Sequence, residues 1–467
     1  MKKNVLFLLA DDQRFDTIHA LGNPDIQTPN LDRLVAEGVT FENAYIPGGT
    51  SGAVCMPSRA MMQTSKHLFD LQDLGAVIPD EHAILGEELQ KNNYHTVGIG
   101  KWHNGTKGYG RAFSDGGEIF FGGMWDHWNV PVNEFDPAKE YRDWRTFTQD
   151  PFSTNHTIQM PADHLTMGKH STDLFADKLI EKIHDVATIE QPFFLYGAFL
   201  APHDPRTMPE AYKNMYDPAK IPLPENFLPE HPFEFDVKRE RDESLEAYPR
   251  PESRVRQHIA DYYAMISHID ARIGTILDAL EETGQLENTL IIFSGDNGIS
   301  IGQHGLMGKQ NLYEHSIHVP LVIAGPGLPK GKRVTQRALL LDIMPTILDY
   351  TDTPIPEGLF GQSLLPVIAD EKPGREMIYL SFTQRIRGLL QGDYKLIEYA
   401  TDFGAHTQLF NIKEDPKEMV NLAEDPAFAE KLATMQATLV QQAEVMGDFE
   451  FPQGKEYWEK KAELAGK

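Results

Sequence analysis

The chain has 467 residues, 41% of them apolar and 10% aromatic, with a formal net charge of −26, so it can bury a large core plus a smaller one and reads as a folded globular protein. That charge leaves no basic footprint for nucleic acid or an anionic membrane surface, and a polyanionic ligand would need local cationic pockets. A single cysteine excludes an internal disulfide.

The opening Met1 to Ala10 imitates a secretory leader, but its apolar stretch is short, lacks a small-residue cleavage site and runs into Asp11 and Asp12. It reads as the first core strand. No apolar run is long enough to span a bilayer, so the expected location is cytoplasmic, or periplasmic if a leader has been removed. Asn30 is expected to cap a short helix that ends at Glu37, before Gly38. A helix over Ile84 to Gln90 leads to a strand from His95 to Gly100, and a helix from Ser171 or Thr172 to Val186 leads to a strand from Phe193 to Phe199. The stretch from Asp204 to Pro251, rich in proline and charge, reads as a long surface connection. The clearest helix runs from about His258 to Glu282, with Ile259, Tyr262, Ile266, Ile269, Ile273, Ile276 and Leu280 on one face. Strands from Leu290 to Ser294 and from Val319 to Ala324 complete the expected α/β core, a mostly parallel sheet flanked by helices. After about Gly358 the pattern shifts to short strands (Met377 to Phe382, Ile386 to Leu390, Lys395 to Tyr399, Gln408 to Asn411) and one helix from about Pro426 to Val445. This predicts a large α/β domain over 1–358 and a C-terminal domain over 359–467, an antiparallel sheet with a helix on it.

Four strand ends carry polar residues that a sheet interior would not hold: Asp11 and Asp12, Lys101-Trp102-His103, His203, and Asp296-Asn297. Ligands of open α/β sheets bind beyond the carboxyl ends of the strands, so these groups can converge. Each has a plainer reading. Asp11 and Asp12 could cap a helix, and Asp296-Asn297-Gly298 could be a hairpin turn. Taken jointly, three carboxylates and an amide oxygen suit Ca²⁺ or, less well, Mg²⁺ rather than zinc or copper.

Cys55 opens the run Cys55-Met56-Pro57-Ser58-Arg59 at the expected N-terminus of a helix, an anion-binding position. The run matches the CxPSR signature of the type I, formylglycine-dependent sulfatases of the alkaline-phosphatase-like superfamily, and the chain resembles that family in order along nearly its whole length. The matching elements are Asp11-Asp12, Gly100-Lys101-Trp102-His103, Pro202-His203, Asp296-Asn297, His304-Gly305-x-x-x-Lys309 and the C-terminal Leu409-Phe410-Asn411 segment. One departure is that Ser65-Lys66 follows Thr64 where the family has Gly-Arg.

The resemblance implies that a formylglycine-generating enzyme oxidises Cys55 to formylglycine, whose hydrated aldehyde is the nucleophile, and that Asp11, Asp12, Asp296 and Asn297 bind one Ca²⁺. It also implies that Lys101, Lys309 and the histidines hold the sulfate and move protons. Arg59 would hold the formylglycine, Lys101 and Lys309 would neutralise the transferring group, and His304 would contact substrate. His203 is the candidate general acid and His103 the candidate base, two roles that could be exchanged. A histidine is more often structural, and the other members of the 18 receive no role.

The segment from Gly110 to Phe152 interleaves Trp125, Trp128, Tyr141, Trp144 and Phe147 with Arg142 and Arg145. Trp102, Trp125 and Arg142 are taken as substrate contacts suited to a sulfated sugar, against the reading of the aromatics as core. The expected activity is hydrolysis of a carbohydrate sulfate ester. The alternatives are a formylglycine-dependent phosphodiesterase or phosphonate monoester hydrolase, and a non-catalytic anion or glycan binder if Cys55 is never converted.

Overall fold

Every residue of the strand Asn4–Ala10 is buried, which demands packing on both faces of its sheet. Its side chains divide accordingly: Val5, Phe7 and Leu9 belong to one apolar cluster, Leu6, Leu8 and Ala10 to the other. The computed structural model describes residues 2–148 and 156–466. Its main sheet runs Thr289–Gly295, Asn4–Ala10, Phe193–Ala198, His95–Lys101, Asp115–Phe120, all parallel. On the far side of Thr289–Gly295 it continues antiparallel through Leu321–Ala324 to Val39–Tyr45, which also pairs with Lys332–Leu339. The helices Ser171–Val186 and Glu252–Glu282 cover one face, and Cys55–Thr64, Leu85–Lys91 and Ile343–Tyr350 cover the other.

Three strands of this sheet escaped the sequence reading. Val39–Tyr45, Asp115–Phe120 and Lys332–Leu339 carry charged residues or paired glycines that mask the apolar pattern. The strand expected from Val319 to Ala324 is broken at Pro320 into His318–Val319 and Leu321–Ala324, because proline cannot donate to a ladder. Asn30 does not cap its helix, which begins at Pro29. The cap comes from the neighbouring helix: the Asp270 carboxylate accepts from Asn30 N at 3.1 Å and Leu31 N at 2.7 Å. The long helix starts earlier than expected, at Glu252.

The second sheet is antiparallel through Met377–Phe382, Ile386–Gln391, Tyr394–Thr401 and Gly404–Asn411. At its edge it takes in Gly48–Gly49, which pairs with Ser381 and Phe382, so the segment leading to Cys55 is anchored to both sheets. Two helices, Ala429–Val445 and Pro452–Ala465, follow rather than one. The second has few buried residues, so no apolar stripe announces it. Trp458 Nε1 donates to Asp448 at 2.8 Å, and the same carboxylate holds the buried Arg387 guanidinium at 2.7 and 2.9 Å.

Candidate active site

The register of the parallel strands places their carboxyl ends side by side: Ala10 lies opposite Gly295, Leu9 opposite Ala198, and Ala198 opposite Gly100. The residues that follow therefore meet above one edge. Asp12 N donates to Asp296 Oδ1 at 3.0 Å, and Asn297 Nδ2 donates to Asp12 Oδ1 at 2.7 Å, tying together the loops that follow Asn4–Ala10 and Thr289–Gly295. The Asp296-Asn297 pair is the end of a parallel strand and makes no hairpin turn.

Each carboxylate uses part of its surface on a cationic side chain. Lys101 Nζ donates to Asp11 Oδ2, Lys309 Nζ to Asp12 Oδ1 at 2.5 Å, and Arg59 Nε to Asp296 Oδ2 at 2.8 Å. What remains is a set of buried oxygens with no hydrogen-bond partner: Asp11 Oδ1, Asp12 Oδ2 and Asn297 Oδ1. Ligand atoms of Asp11, Asp12 and His203, and of Asp11, Cys55 and Asp296, fall within 4.8 Å of one another. Unpaired buried oxygens are costly, and hard oxygen donors of this kind fit a Ca²⁺- or Mg²⁺-sized cation. Burial would raise Asp11, but Lys101, His203 and Arg59 hold it well below the usual carboxylate range. Burial and the adjacent Asp11 push Asp296 up to about 6.

Cys55 begins the helix Cys55–Thr64, and Arg59 lies one turn further along the same buried face. The helix is fixed to the site by Ser58, whose hydroxyl donates to Asp296 O at 2.5 Å, and by Arg59 Nη1, which donates to Lys101 O at 2.7 Å. Cys55 Sγ stands 3.4 Å from Lys101 Nζ and 3.4 Å from His103 Nδ1. Burial pushes its thiol up to about 11, and burial together with Lys101 and Arg59 pushes His103 well below the usual histidine range. The helix ends at Ser65 with φ +54°, a left-handed position that glycine meets without strain. The serine that departs from the family pattern is retained there by a hydrogen bond from its hydroxyl to Leu341 O at 2.8 Å.

His203 Nε2 faces Asp12 Oδ2 at 3.6 Å, and its Nδ1 donates to the carbonyl of Asp204 at 2.9 Å. Thus Cys55, Arg59, Lys101, His103, His203, Lys309, Asp11, Asp12, Asp296 and Asn297 share one site. The other expected contacts do not all join it. Trp102 is 1% exposed, edge-on to Tyr109, Phe113 and Tyr196, with its indole donating to Gly105 O; it is core, because the residue after a strand end points back under the sheet here. His304 stacks on Tyr313 at 4.0 Å and pairs with Asn226, shaping the turn before Lys309. The Arg142 side chain is 79% exposed and paired with Glu140. Trp125 packs edge-on against Phe147 at 4.7 Å, two residues from Gly123, where a Cβ would stand 2.7 Å from His103 Nε2. The end of the aromatic segment, 149–155 with Phe152, lies outside the described residues.

The stretch from Asp204 to Pro251 is not merely a surface connection. Asp242 and Glu243 are each 2% exposed, and Arg241, Asp242 and Gln310 build a hydrogen-bonded edge around the site. No sequence signal marks Arg241, because it stands in a run of alternating charges that reads as a solvated face.

The sulfatase family model matches residues 3–353. The chain belongs to the sulfatase family. It is a sulfuric ester hydrolase with the alkaline-phosphatase-like fold, and the C-terminal model of N-sulphoglucosamine sulphohydrolase matches residues 302–445. An N-acetylglucosamine-6-O-sulfatase of Bacteroides thetaiotaomicron is 24% identical, the match covering 92% of this chain and 84% of the relative. Among solved structures, one in complex with its substrate D-glucosamine-2-N,6-O-disulfate superposes with a TM-score of 0.72 at 24% identity over 96% of this chain and 99% of its own. The phosphonate monoester hydrolase of Agrobacterium radiobacter also superposes with a TM-score of 0.72, at 22% identity over 95% of this chain and 96% of its own.

Proposed function

We propose that this sulfatase hydrolyses a sulfate ester of a carbohydrate, using Cys55 in its formylglycine form and one Ca²⁺ ion. The observation that carries the reading is the set of orphaned oxygens of Asp11, Asp12 and Asn297 beside a cysteine flanked by Lys101 and His103. Asp11, Asp12, Asp296 and Asn297 would hold the cation, which when bound supplies Lewis acidity at the site. The three carboxylates are already matched by Lys101, Lys309 and Arg59, so a divalent cation would leave the pocket net positive and ready for a sulfate monoanion. Lys101 and Lys309 orient and neutralise the non-bridging oxygens. Arg59 fixes residue 55 and Asp296 in one arrangement. His203 presents Nε2 to the leaving oxygen as general acid, and His103, 3.4 Å from the Cys55 sulfur position, takes a proton from the group on residue 55.

The carbohydrate assignment rests on the named relative that acts on N-acetylglucosamine sulfate and on the fold neighbour solved with a sulfated glucosamine. The rival reading, phosphonate or phosphodiester hydrolysis, draws on the phosphonate hydrolase neighbour. Rates on matched 4-nitrophenyl sulfate and 4-nitrophenyl phenylphosphonate separate the two, followed by a screen of 6-O-, 2-O- and N-sulfated glucosamine. A higher kcat/KM on the phosphonate would reject the sulfatase assignment of substrate, and turnover of aryl but no sugar sulfates would reject the carbohydrate.

A further inference from the structure

His203 is held by more than its own loop. Its Nδ1 lies 2.9 Å from the Asp204 carbonyl and 3.3 Å from Asp204 Oδ1; a carbonyl only accepts, so Nδ1 carries the hydrogen and Nε2 is the atom turned to the cleft. The Asp204 carboxylate, 5% exposed, is gripped fork to fork by Arg241, with Nη1 to Oδ2 at 2.6 Å and Nη2 to Oδ1 at 2.9 Å. Arg241 Nη2 also donates to Asp242 Oδ1. Asp242 in turn accepts from Gln310 Nε2 at 2.7 Å, and that amide donates to Gly52 O at 2.8 Å. One guanidinium thereby links the loop of His203 to the loop of Lys309 and to the approach of Cys55. His127 closes the arrangement from behind, its Nε2 donating to His203 O at 2.9 Å.

We infer that Arg241 and Asp204 are positioning residues for the reaction: the Arg241 fork fixes the Asp204 carboxylate, and this fixes the ring of His203 so that Nε2 meets the leaving oxygen. This rests on the proposed role of His203 as general acid. A planar, bidentate donor is required, because a carboxylate held at both oxygens cannot rotate onto the imidazole, whereas one held at a single point can. Removing Arg241 leaves Asp204 and Asp242, both nearly inaccessible, without their cation. Asp204 then pulls Nδ1 off the carbonyl and turns the ring. Binding of the sulfate group, carried by Lys101, Lys309 and the cation site, is left as it was.

The test uses the full-length protein with residue 55 matured and Ca²⁺ supplied, on 4-nitrophenyl, phenyl and 4-methoxyphenyl sulfate, esters of similar shape and increasingly poor leaving groups. For R241Q and D204N the expected loss in kcat is about 10- to 100-fold on 4-methoxyphenyl sulfate and less than about threefold on 4-nitrophenyl sulfate, with KM nearly unchanged, since only the poor leaving group needs the proton. R241K, a single-point donor, shows the same pattern. In a His203→Ala background the Arg241 substitution adds nothing on any ester. Equal losses on all three esters, or none, would overturn the inference while a leaving-group-dependent loss in His203→Ala leaves the acid role standing. A His203→Ala variant with no leaving-group dependence would instead remove the acid role and the inference with it. If R241Q does not fold, D204N and R241K decide by the same criterion.

Discussion

Lys309 and Lys101 look equivalent in sequence, but the structure separates them. Asp12 Oδ1 accepts from both Lys309 Nζ at 2.5 Å and Asn297 Nδ2 at 2.7 Å, so Lys309→Ala leaves that oxygen with a donor. Asp11 Oδ2 accepts from Lys101, and its next cationic neighbour is Arg59 Nη2 at 3.8 Å. Lys101→Ala therefore strips Asp11 of its side-chain hydrogen bond and leaves a buried carboxylate with Arg59 at 3.8 Å as its nearest cation, at a cost of about 3 kcal/mol. On the proposed mechanism both variants lose a preorganised cation for the transferring group, worth about 10²–10³ in kcat. The expected result is that Lys309→Ala falls by that factor on 4-nitrophenyl sulfate with near-normal denaturant stability. Lys101→Ala should lose activity at least as much and be destabilised by several kcal/mol in the same metal-free buffer. Steady-state kinetics and urea unfolding of the two proteins side by side decide the matter. Equal stabilities, or a Lys309→Ala enzyme within threefold of the parent (a loss of about 0.7 kcal/mol or less), would refute the reasoning.

Further outcomes follow from other parts of the molecule. Chelation should abolish turnover and lower thermal stability, and Ca²⁺ at about 100 times its Kd should return about 2.7 kcal/mol of stability; full activity after exhaustive chelation would contradict the cation site. Trp102→Phe should leave KM unchanged and Trp102→Ala should cost about 3–5 kcal/mol of stability, so a large KM effect with intact stability would return Trp102 to the substrate. Burial pushes His67, His170 and His304 down to about 3 and His231 down to about 4. Between those values and the ordinary 6.5 the unfolded chain binds protons that the folded chain does not, so stability falls as pH drops, by about 1.4 kcal/mol per pH unit for each histidine. Urea unfolding at pH 6.5, 5.5 and 4.5 should show this slope, and His67→Gln should flatten it; an unchanged slope would show that His67 is not held neutral.

The site was more legible in the sequence than the fold around it. Asp11-Asp12, Lys101 to His103, His203 and Asp296-Asn297 each follow a strand whose apolar run is unmistakable, and parallel register then makes them neighbours. The strands that cap the sheet were hidden because an edge or glycine-bearing strand such as Asp115–Phe120 has no clean alternation. Trp102 was misplaced because proximity in sequence to Lys101 and His103 says nothing about direction, and its ring turns into the core. Arg241 was invisible for the opposite reason. Its role depends on a chain segment folding back across 37 residues onto Asp204, and a charge in a charged run carries no periodic signal. The helix Pro452–Ala465 is held by Tyr457, Trp458 and the buried Arg387–Asp448 pair rather than by an apolar stripe.

On the proposed mechanism Cys55 is converted to an aldehyde whose hydrate supplies the nucleophilic hydroxyl. Peptide mass spectrometry across Cys55 on protein coexpressed with a formylglycine-generating enzyme, with sulfate ester turnover measured on the same preparation and on Cys55→Ala, tests it most directly. The expected result is the aldehyde or its hydrate at residue 55, activity in proportion to the converted fraction, and none in the folded Cys55→Ala protein. An unmodified thiol in a preparation that turns over sulfate esters at full rate, or an active Cys55→Ala enzyme, would contradict it.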